Sequence, residues 1–142
     1  MTPAFISAVV DALLPGDSGG SAGEPPLPPG SIAGIDLSAI AKAHNSVFDA
    51  IAKRAGGGDG LIAATDSERI ATVESVERAM PDAFRTLLSA LLADYYESPS
   101  VLIAMGWRSE PPQPLGHQLK SSNDAIQQHL ERVRSRQKLW RG

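Results

Sequence analysis

Residues 83–98 have the sequence AFRTLLSALLADYYES and form the most hydrophobic segment of the chain. Their large apolar side chains recur every three or four residues, which is the period of one helix face. The side chains on that face are Phe84, Leu87, Leu88, Leu91, Leu92 and Tyr95. Pro81 and Asp82 punctuate the chain just before this segment. We therefore predict that residues 83–98 form the central helix of a hydrophobic core.

Two helices are predicted on the N-terminal side of this segment. In the first, Thr2 suits the cap and Pro3 the first helical position, and Pro15-Gly16 ends the apolar pattern. The second is expected over residues 36–56, with His44 inside its apolar stripe. The run GGGDG that begins at the end of this helix is expected to break the chain.

Capping signals predict two more helices around the central one. Thr65 and Glu68 have the spacing of a capping box, in which the two residues satisfy free backbone donors reciprocally. After the central segment, Ser98 is expected to cap a short helix that has Pro99 at its first position. Gly106 is expected to end that helix in the left-handed conformation.

A last helix is predicted after a Ser/Asn cap at residues 121–123. Ile126, Leu130 and Val133 line one of its faces. Cations favour the C-terminal half of a helix, and this half carries Arg132, Arg134, Arg136 and Lys138. The pattern therefore predicts a basic segment on an acidic protein.

These signals together predict an all-α fold, because strand signals are scarce along the chain. We expect a single helical domain over residues 1–142, which is an ordinary length for one domain. It would be a bundle of five to six helices with two long Gly/Pro-rich loops. Those loops are expected at residues 15–35 and at residues 106–121, where Pro111, Pro112 and Pro114 exclude a regular ladder.

The composition excludes several classes of function. The formal net charge is -3, which does not suit the neutralisation of nucleic-acid phosphates, so no nucleic-acid partner is expected. The chain has no cysteine, which removes thiolate catalysis and Cys-ligated metal sites. Residues 1–17 have no basic start, and Asp11 interrupts their apolar run. We therefore expect no membrane insertion and a cytoplasmic protein, periplasmic only if a partner carries it there.

No catalytic constellation is evident among the polar residues. His44, His117 and His129 form neither an HExxH nor a Glu-x-x-His pair. We interpret His44 as a packed histidine with one hydrogen bond, and His129 as a solvated one. His117 lies in the Pro-rich loop near Trp107. No catalytic base or second metal ligand lies at a suitable sequence spacing from it. No catalytic, cofactor-binding or metal-binding residue is therefore assigned in this chain.

Tyr95, Tyr96 and Trp107 form the one concentrated aromatic group, and prolines follow it. In one interpretation Tyr95 and Trp107 close the core over the leucine-rich helix. In another, Tyr96, Trp107 and the prolines dock on a partner, since a pre-ordered loop loses less entropy on binding. The predicted partner interface consists of Tyr95, Tyr96, Trp107, Pro111, Pro112, Pro114, Leu115 and His117.

Several motifs resemble those of one known family. They are ALLPGD after the first helix, the long Gly/Pro loop, the run YYESPSVLIAMGWRSEPPQPLGHQL at residues 95–119, and a final VRSR…WR. Together they resemble the small-subunit family of gluconate 2-dehydrogenase (subunit 3). The strongest part of the resemblance is a pattern that begins with Tyr-Tyr and has a proline three residues later. A Gly-aromatic pair follows, and then a group of prolines that ends in Pro-Leu-Gly. It covers about a sixth of the chain.

The resemblance implies an all-helical accessory subunit that holds no cofactor itself. Such a subunit binds and stabilises a larger catalytic chain of the glucose–methanol–choline type, and the FAD is expected in that partner. Family members often carry a twin-arginine signal, from which this sequence departs. The departure leaves the export role in doubt but not the binding role.

Two interpretations from other classes stay open beside the resemblance. The first is a small helical enzyme or ligand-binding protein whose pocket lies under the two long loops. His44, Tyr95, Trp107 and His117 would line that pocket. The second is a regulatory helical adaptor.

Overall fold

The structure, a computed structural model, describes residues 1–17, 25–107 and 124–134. These ranges contain eight α-helices, one 3₁₀ turn and no β-strand, which confirms the all-α prediction. The chain divides into two compact units, Met1–Ser109 and Glu110–Gly142. The expected single domain stays a prediction. No helix in the described ranges has both the length and the apolar character needed to cross a membrane.

The first helix, α1, spans Pro3–Leu13 and begins as predicted. The Thr2 Oγ1 atom accepts a hydrogen bond from the Phe5 backbone N at 3.3 Å. Phe5, Val9 and Val10 are buried, so one face of the helix enters the core. The Phe5 ring meets the ring of Phe48 edge to face, with centroids 6.4 Å apart.

The predicted second helix is in fact two helices, α2 (Leu37–Ala43) and α3 (Asn45–Arg54). His44 lies between them, with φ −116° and ψ 33°, outside the helical region. The prediction of one unbroken helix was therefore wrong. Its start was right, because the Asp36 side chain accepts from the Ala39 backbone N at 3.0 Å.

The Gly-rich run after α3 also differs from expectation, because a short helix begins inside it. This helix, α4, spans Gly58–Ala63. Leu61 is fully buried in the core. The Arg69 guanidinium donates to the backbone oxygens of Leu61 at 3.0 Å and Ile62 at 2.6 Å. Burial and these two donors stabilise a helix that its glycines alone disfavour.

Helices α5 (Asp66–Ala79) and α6 (Pro81–Glu97) form as predicted. At the start of α5 the Thr65 backbone N donates to the Glu68 carboxylate at 2.8 Å, and the Glu68 backbone N donates to Thr65 Oγ1 at 3.4 Å. The capping box is therefore confirmed. The Thr65 backbone N and the Thr65 hydroxyl both donate to the Glu68 carboxylate, and these two bonds lower the pKa of Glu68 below its ordinary 4.5.

Helix α6 supplies the centre of the core, as its pattern predicted. Phe84, Leu87 and Leu91 are buried in the main cluster. That cluster also takes buried side chains from each of the preceding helices: Phe5, Val9, Val10, Ile40, Ala41, Val47, Phe48, Ile51, Leu61, Val73 and Val76. The core thus reaches from α1 to α6, and Tyr95 at the end of α6 lies in a second, smaller cluster.

Two further helices complete the described chain. Helix α7 spans Pro99–Ala104, with Pro99 at its first position as predicted. Helix α8 spans Asp124–Arg134 and belongs to the second unit. The predicted Ser/Asn cap of α8 lies outside the described residues.

Candidate functional site

The candidate site lies where α6 ends and α7 begins. Tyr95 and Tyr96 occupy the last turn of α6, and Ser98 separates the two helices. Residues 25–36, which we call the strap, cross this region and contain the 3₁₀ turn Gly30–Ile32. The strap covers the second half of the first predicted loop. In the structure it is packed against the neighbouring helices.

Tyr95 is a core residue with 4% of its surface exposed. Its ring packs in the small cluster with Ala33 and Val101, and its hydroxyl donates to the Pro28 backbone oxygen at 2.7 Å. Burial, and then the neighbouring Tyr96, raise the pKa of Tyr95 above its ordinary 10.0. The interpretation that Tyr95 closes the core is confirmed, and Tyr95 is therefore corrected from a partner-interface residue to a core residue that holds the strap.

The strap is also fixed to α1. The Asp11 carboxylate accepts two hydrogen bonds from Ser31, one from its backbone N and one from its hydroxyl, each at 2.8 Å. Gly30 lies so close to α1 that an added Cβ would stand 2.6 Å from Val10 Cγ1. A side chain at position 30 would force Val10 or the strap to move, so this close approach requires glycine.

Two serines join the strap to the start of α7. Ser98 and Ser100 both donate their hydroxyls to the Ala33 backbone oxygen, the second at 2.8 Å. Ser98 occupies the N-cap position of α7, but its side chain makes no capping hydrogen bond. Ser98 thus lies at the predicted N-cap position of α7. The predicted capping hydrogen bond was wrong, because the buried hydroxyl donates to the strap instead.

Tyr96 turns the other way from Tyr95. Its ring meets the Tyr95 ring edge to face, with centroids 5.4 Å apart and an interplanar angle of 81°. Tyr96 is 49% exposed. An exposed aromatic ring is thereby held against a buried one, in a geometry that aromatic pairs favour.

Trp107 follows α7 on a backbone that its glycine neighbour fixes. Gly106 has φ +73°, the left-handed conformation predicted for it. The Trp107 N donates to the Leu102 oxygen at 2.8 Å, and the Gly106 N donates to the Ile103 oxygen at 2.9 Å. These two bonds form a Schellman motif, which closes the helix and sets the direction of the chain. The side chain of Trp107 is nevertheless 64% exposed, so the interpretation that Trp107 closes the core was wrong.

Exposed apolar side chains concentrate in this part of the molecule. Within residues 1–17 and 25–107, seven large hydrophobic residues are exposed, and four of them lie between residues 96 and 107. We call these four, Tyr96, Ile103, Met105 and Trp107, the apolar group. Single exposed hydrophobic residues are normal, whereas several within a short segment indicate a contact surface.

Sequence reasoning found two members of the apolar group and missed the other two. The predicted interface contained Tyr96 and Trp107 but neither Ile103 nor Met105. The periodicity of α7 assigns apolar residues to a helix but cannot show which of them lack a neighbour to cover them. The other predicted interface residues, Pro111, Pro112, Pro114, Leu115 and His117, lie outside the described residues.

The histidines do not form a site among the described residues. His44 is half-buried at the junction of α2 and α3, where its backbone oxygen accepts from Val47 and Phe48. Its side chain makes no hydrogen bond to another described residue, and so its expected single bond is not found there. The side chain of His129 lies outside the described residues.

A pocket of about 460 Å³ opens beside Pro15 and Pro29 of the first loop. Its lining residues are Asp11, Ala12, Pro15, Pro29, Asp66, Arg69 and Ile70. His44, Tyr95 and Trp107, three of the four residues expected around a loop-covered pocket, do not line it. The fourth, His117, lies outside the described residues. Its charged groups already serve the fold, since Asp11 holds Ser31 and Arg69 holds the end of α4. Within the described ranges, no three acidic or histidine side chains form a group able to hold a metal ion.

Comparison with known proteins identified no relative of this chain. No family model matches the chain, and no curated protein or solved structure does so either. The link to the gluconate 2-dehydrogenase small-subunit family therefore depends on the motif resemblance alone.

Proposed function

We propose that this chain is a non-catalytic accessory subunit that binds a larger partner chain through the apolar group. The observation that carries the proposal is Trp107, whose backbone N donates to the Leu102 oxygen in the motif that closes α7 while its side chain is 64% exposed. Tryptophan is among the residues most enriched at the energetic centres of protein interfaces. A side chain on a fixed backbone also loses less conformational entropy when a partner covers it.

The surroundings of the apolar group favour a rigid docking surface. The Tyr96 ring contacts the buried ring of Tyr95, and the Tyr95 hydroxyl donates a hydrogen bond to Pro28 of the strap. The strap in turn is bonded to the start of α7 through Ala33. Because these contacts link the segments that carry Tyr96 and Trp107, the surface is pre-formed before a partner arrives, which lowers the cost of binding.

The charges beside the apolar group indicate the kind of surface that would cover it. Asp94 and Glu97 flank Tyr96 in the last turn of α6, and both are exposed. An interface generally has an apolar centre and a polar rim of complementary charge. The partner is therefore expected to offer an apolar pocket for the indole of Trp107 with basic residues around it.

The sequence resemblance supports one class of partner. We propose a flavin-dependent sugar or alcohol dehydrogenase of the glucose–methanol–choline type, which would carry the FAD. The role of this chain would then be to stabilise that catalytic chain, and it needs no cofactor for this role.

The experiment is co-expression with the product of the neighbouring gene, which we expect to be a flavin-binding chain. We expect the two chains to co-purify, and we expect the flavin-binding chain to lose solubility or FAD content when expressed alone. The proposal fails if this protein purifies alone while the neighbouring flavoprotein is stable and active without it.

A further inference from the structure

A small pocket with three carboxylates lies at the junction of α6 and α7. It has a volume of about 240 Å³, and we call it the acidic pocket. Its charged lining residues are Asp36 at the end of the strap and Asp94 and Glu97 in the last turn of α6, and no basic residue lines it. Tyr96 of the apolar group lies between Asp94 and Glu97 in the same helical turn. The pocket therefore lies at the same end of α6 as the proposed docking surface.

The two carboxylates of α6 oppose the dipole of their own helix. The C-terminal end of a helix carries partial negative charge, and basic side chains are the ones that stabilise it. The last turn of α6 contains Asp94 and Glu97 but no basic residue. Both side chains are exposed, and neither forms an ion pair with any residue that the structure describes. The described part of the chain thus places uncompensated negative charge beside the apolar group.

The size and geometry of the acidic pocket favour one cationic side chain. Small-molecule pockets usually measure about 300–1,000 Å³, so a volume of about 240 Å³ suits a single long side chain better than a larger ligand. In the described ranges, the three carboxylates do not form a group able to hold a metal ion. A guanidinium spreads its charge over a planar fork of donors that bonds well to carboxylates, and arginine is enriched at the centres of interfaces.

We propose that the apolar group and the acidic pocket form one docking surface, whose occupant is a partner segment that carries an arginine beside apolar residues. The guanidinium enters the acidic pocket, and the apolar residues cover Tyr96 and Trp107. The inference rests on the proposed function for the existence of a partner. The chemistry of the segment follows from the charges and the exposed apolar side chains of this chain alone.

Other occupants fit this surface less well. In a symmetric dimer the same patch lies on both sides of the interface, so the carboxylates of one copy would meet those of the other. An anionic membrane or a nucleic acid would meet the same repulsion. Residues 1–107 contain thirteen acidic and six basic residues, a net charge of −7, which strengthens that repulsion.

The first test uses the full chain and two blocked tripeptides that differ in one charge. One is leucine–arginine–leucine, and in the other the arginine is replaced by citrulline, its neutral isostere. Nuclear magnetic resonance of the ¹⁵N-labelled chain follows the amide signals of Asp94, Glu97 and Ser98. We expect the arginine peptide to shift these signals about fivefold more than the citrulline peptide does, and Glu97→Lys to remove most of that difference. Equal shifts by the two peptides, or no shift, would overturn the inference.

The second test compares two charge reversals in the complex. Glu97→Lys removes a carboxylate of the acidic pocket, and Glu77→Lys makes the same change at an exposed position in the last turn of α5. With the co-expressed product of the neighbouring gene, Glu97→Lys should raise the Kd about tenfold or more, and Glu77→Lys should raise it much less. The melting temperature of free Glu97→Lys should equal or exceed that of the wild-type chain, because a lysine there favours the helix dipole. Weaker binding would then not result from unfolding.

The possible outcomes separate this inference from the proposed function. If the complex forms and the two Lys variants bind equally tightly, the inference is overturned and the accessory role stands. If no complex forms, the proposed function fails for that partner, and the comparison of the two peptides alone decides the inference. Self-association of the wild-type chain that Trp107→Ala abolishes, without a response to the arginine peptide, would assign the surface to a second copy instead.

Discussion

The rings of Tyr95 and Tyr96 meet edge to face at 5.4 Å, although 4% of the first residue and 49% of the second is exposed. Consecutive residues of a helix point about 100° apart, so one ring enters the core while the other lies at its edge. Edge-to-face pairs contribute about 0.5–1.5 kcal/mol beyond the area that they bury. The pair therefore joins the small core under the strap to the exposed apolar group, which we propose as the docking surface.

Replacing Tyr95 with Phe should destabilise the protein by about 1 kcal/mol. The change keeps the buried ring but removes the hydroxyl that donates to the Pro28 oxygen. Urea unfolding at neutral pH measures the difference. Tyr96→Phe is the matched control, because it removes the hydroxyl of a half-exposed ring, and it should change the free energy of unfolding by less than about 0.5 kcal/mol. Equal effects of the two changes would contradict the assigned role of Tyr95.

Replacing Asp11 with Ala should cost about 1–2 kcal/mol, because both hydrogen bonds from Ser31 go to its carboxylate. Asp49→Ala on α3 makes the same change of helix propensity at an exposed site, and it should be nearly neutral. Thermal or urea unfolding of both variants gives the comparison. A neutral Asp11→Ala variant would show that the strap does not depend on this anchor.

Replacing Gly106 with Ala should cost about 1 kcal/mol, since φ is +73° there and a Cβ is strained in the left-handed region. An added Cβ would meet nothing within 4 Å, so crowding makes no contribution. Gly106→Asn should cost less, because asparagine tolerates this conformation better. Urea unfolding of both variants checks the order, and an Asn variant less stable than the Ala variant would contradict it.

The capping box of α5 should make stability depend on pH through Glu68. Its pKa in the folded protein is below 4.5 because the backbone and the side chain of Thr65 donate to the carboxylate. A carboxyl group with a lowered pKa stabilises the fold above its unfolded pKa, and this contribution is lost as pH falls through the folded pKa. The free energy of unfolding of Glu68→Gln should therefore fall less steeply below pH 4.5 than that of the wild-type protein. Glu77→Gln, on the same helix but outside the box, should leave the acid slope steeper than Glu68→Gln does.

Local patterns predicted the elements whose contacts are close in sequence. The Thr65–Glu68 box, the position of Pro99 and the left-handed Gly106 were all found, since each depends on neighbours within a few residues. The break between α2 and α3 at His44 was missed, because apolar residues recur at the helical period on both sides of it. Helix α4 was missed because Arg69 and the core, rather than its own glycines, stabilise it.

The candidate site was less predictable because its contacts are distant in sequence. The hydroxyl of Tyr95 bonds to a residue 67 positions away, and no local pattern indicates that pairing. The sequence placed Tyr95 and Trp107 together as core candidates, and only the packing separates them. The order of the sequence did show where aromatic residues concentrate, and Tyr96 and Trp107 remain the predicted contacts with a partner.

The most direct test of the accessory role is the affinity of Trp107→Ala for the co-expressed flavin-binding chain. Ile70→Ala is the matched control, because Ile70 is a large exposed hydrophobic residue on α5, outside the apolar group. Isothermal titration calorimetry at one salt concentration gives both affinities. Trp107→Ala should bind about 30-fold more weakly, as expected for an interface hot spot of about 2 kcal/mol, with its own stability nearly unchanged. Equal affinity of the two variants for the partner would contradict the account.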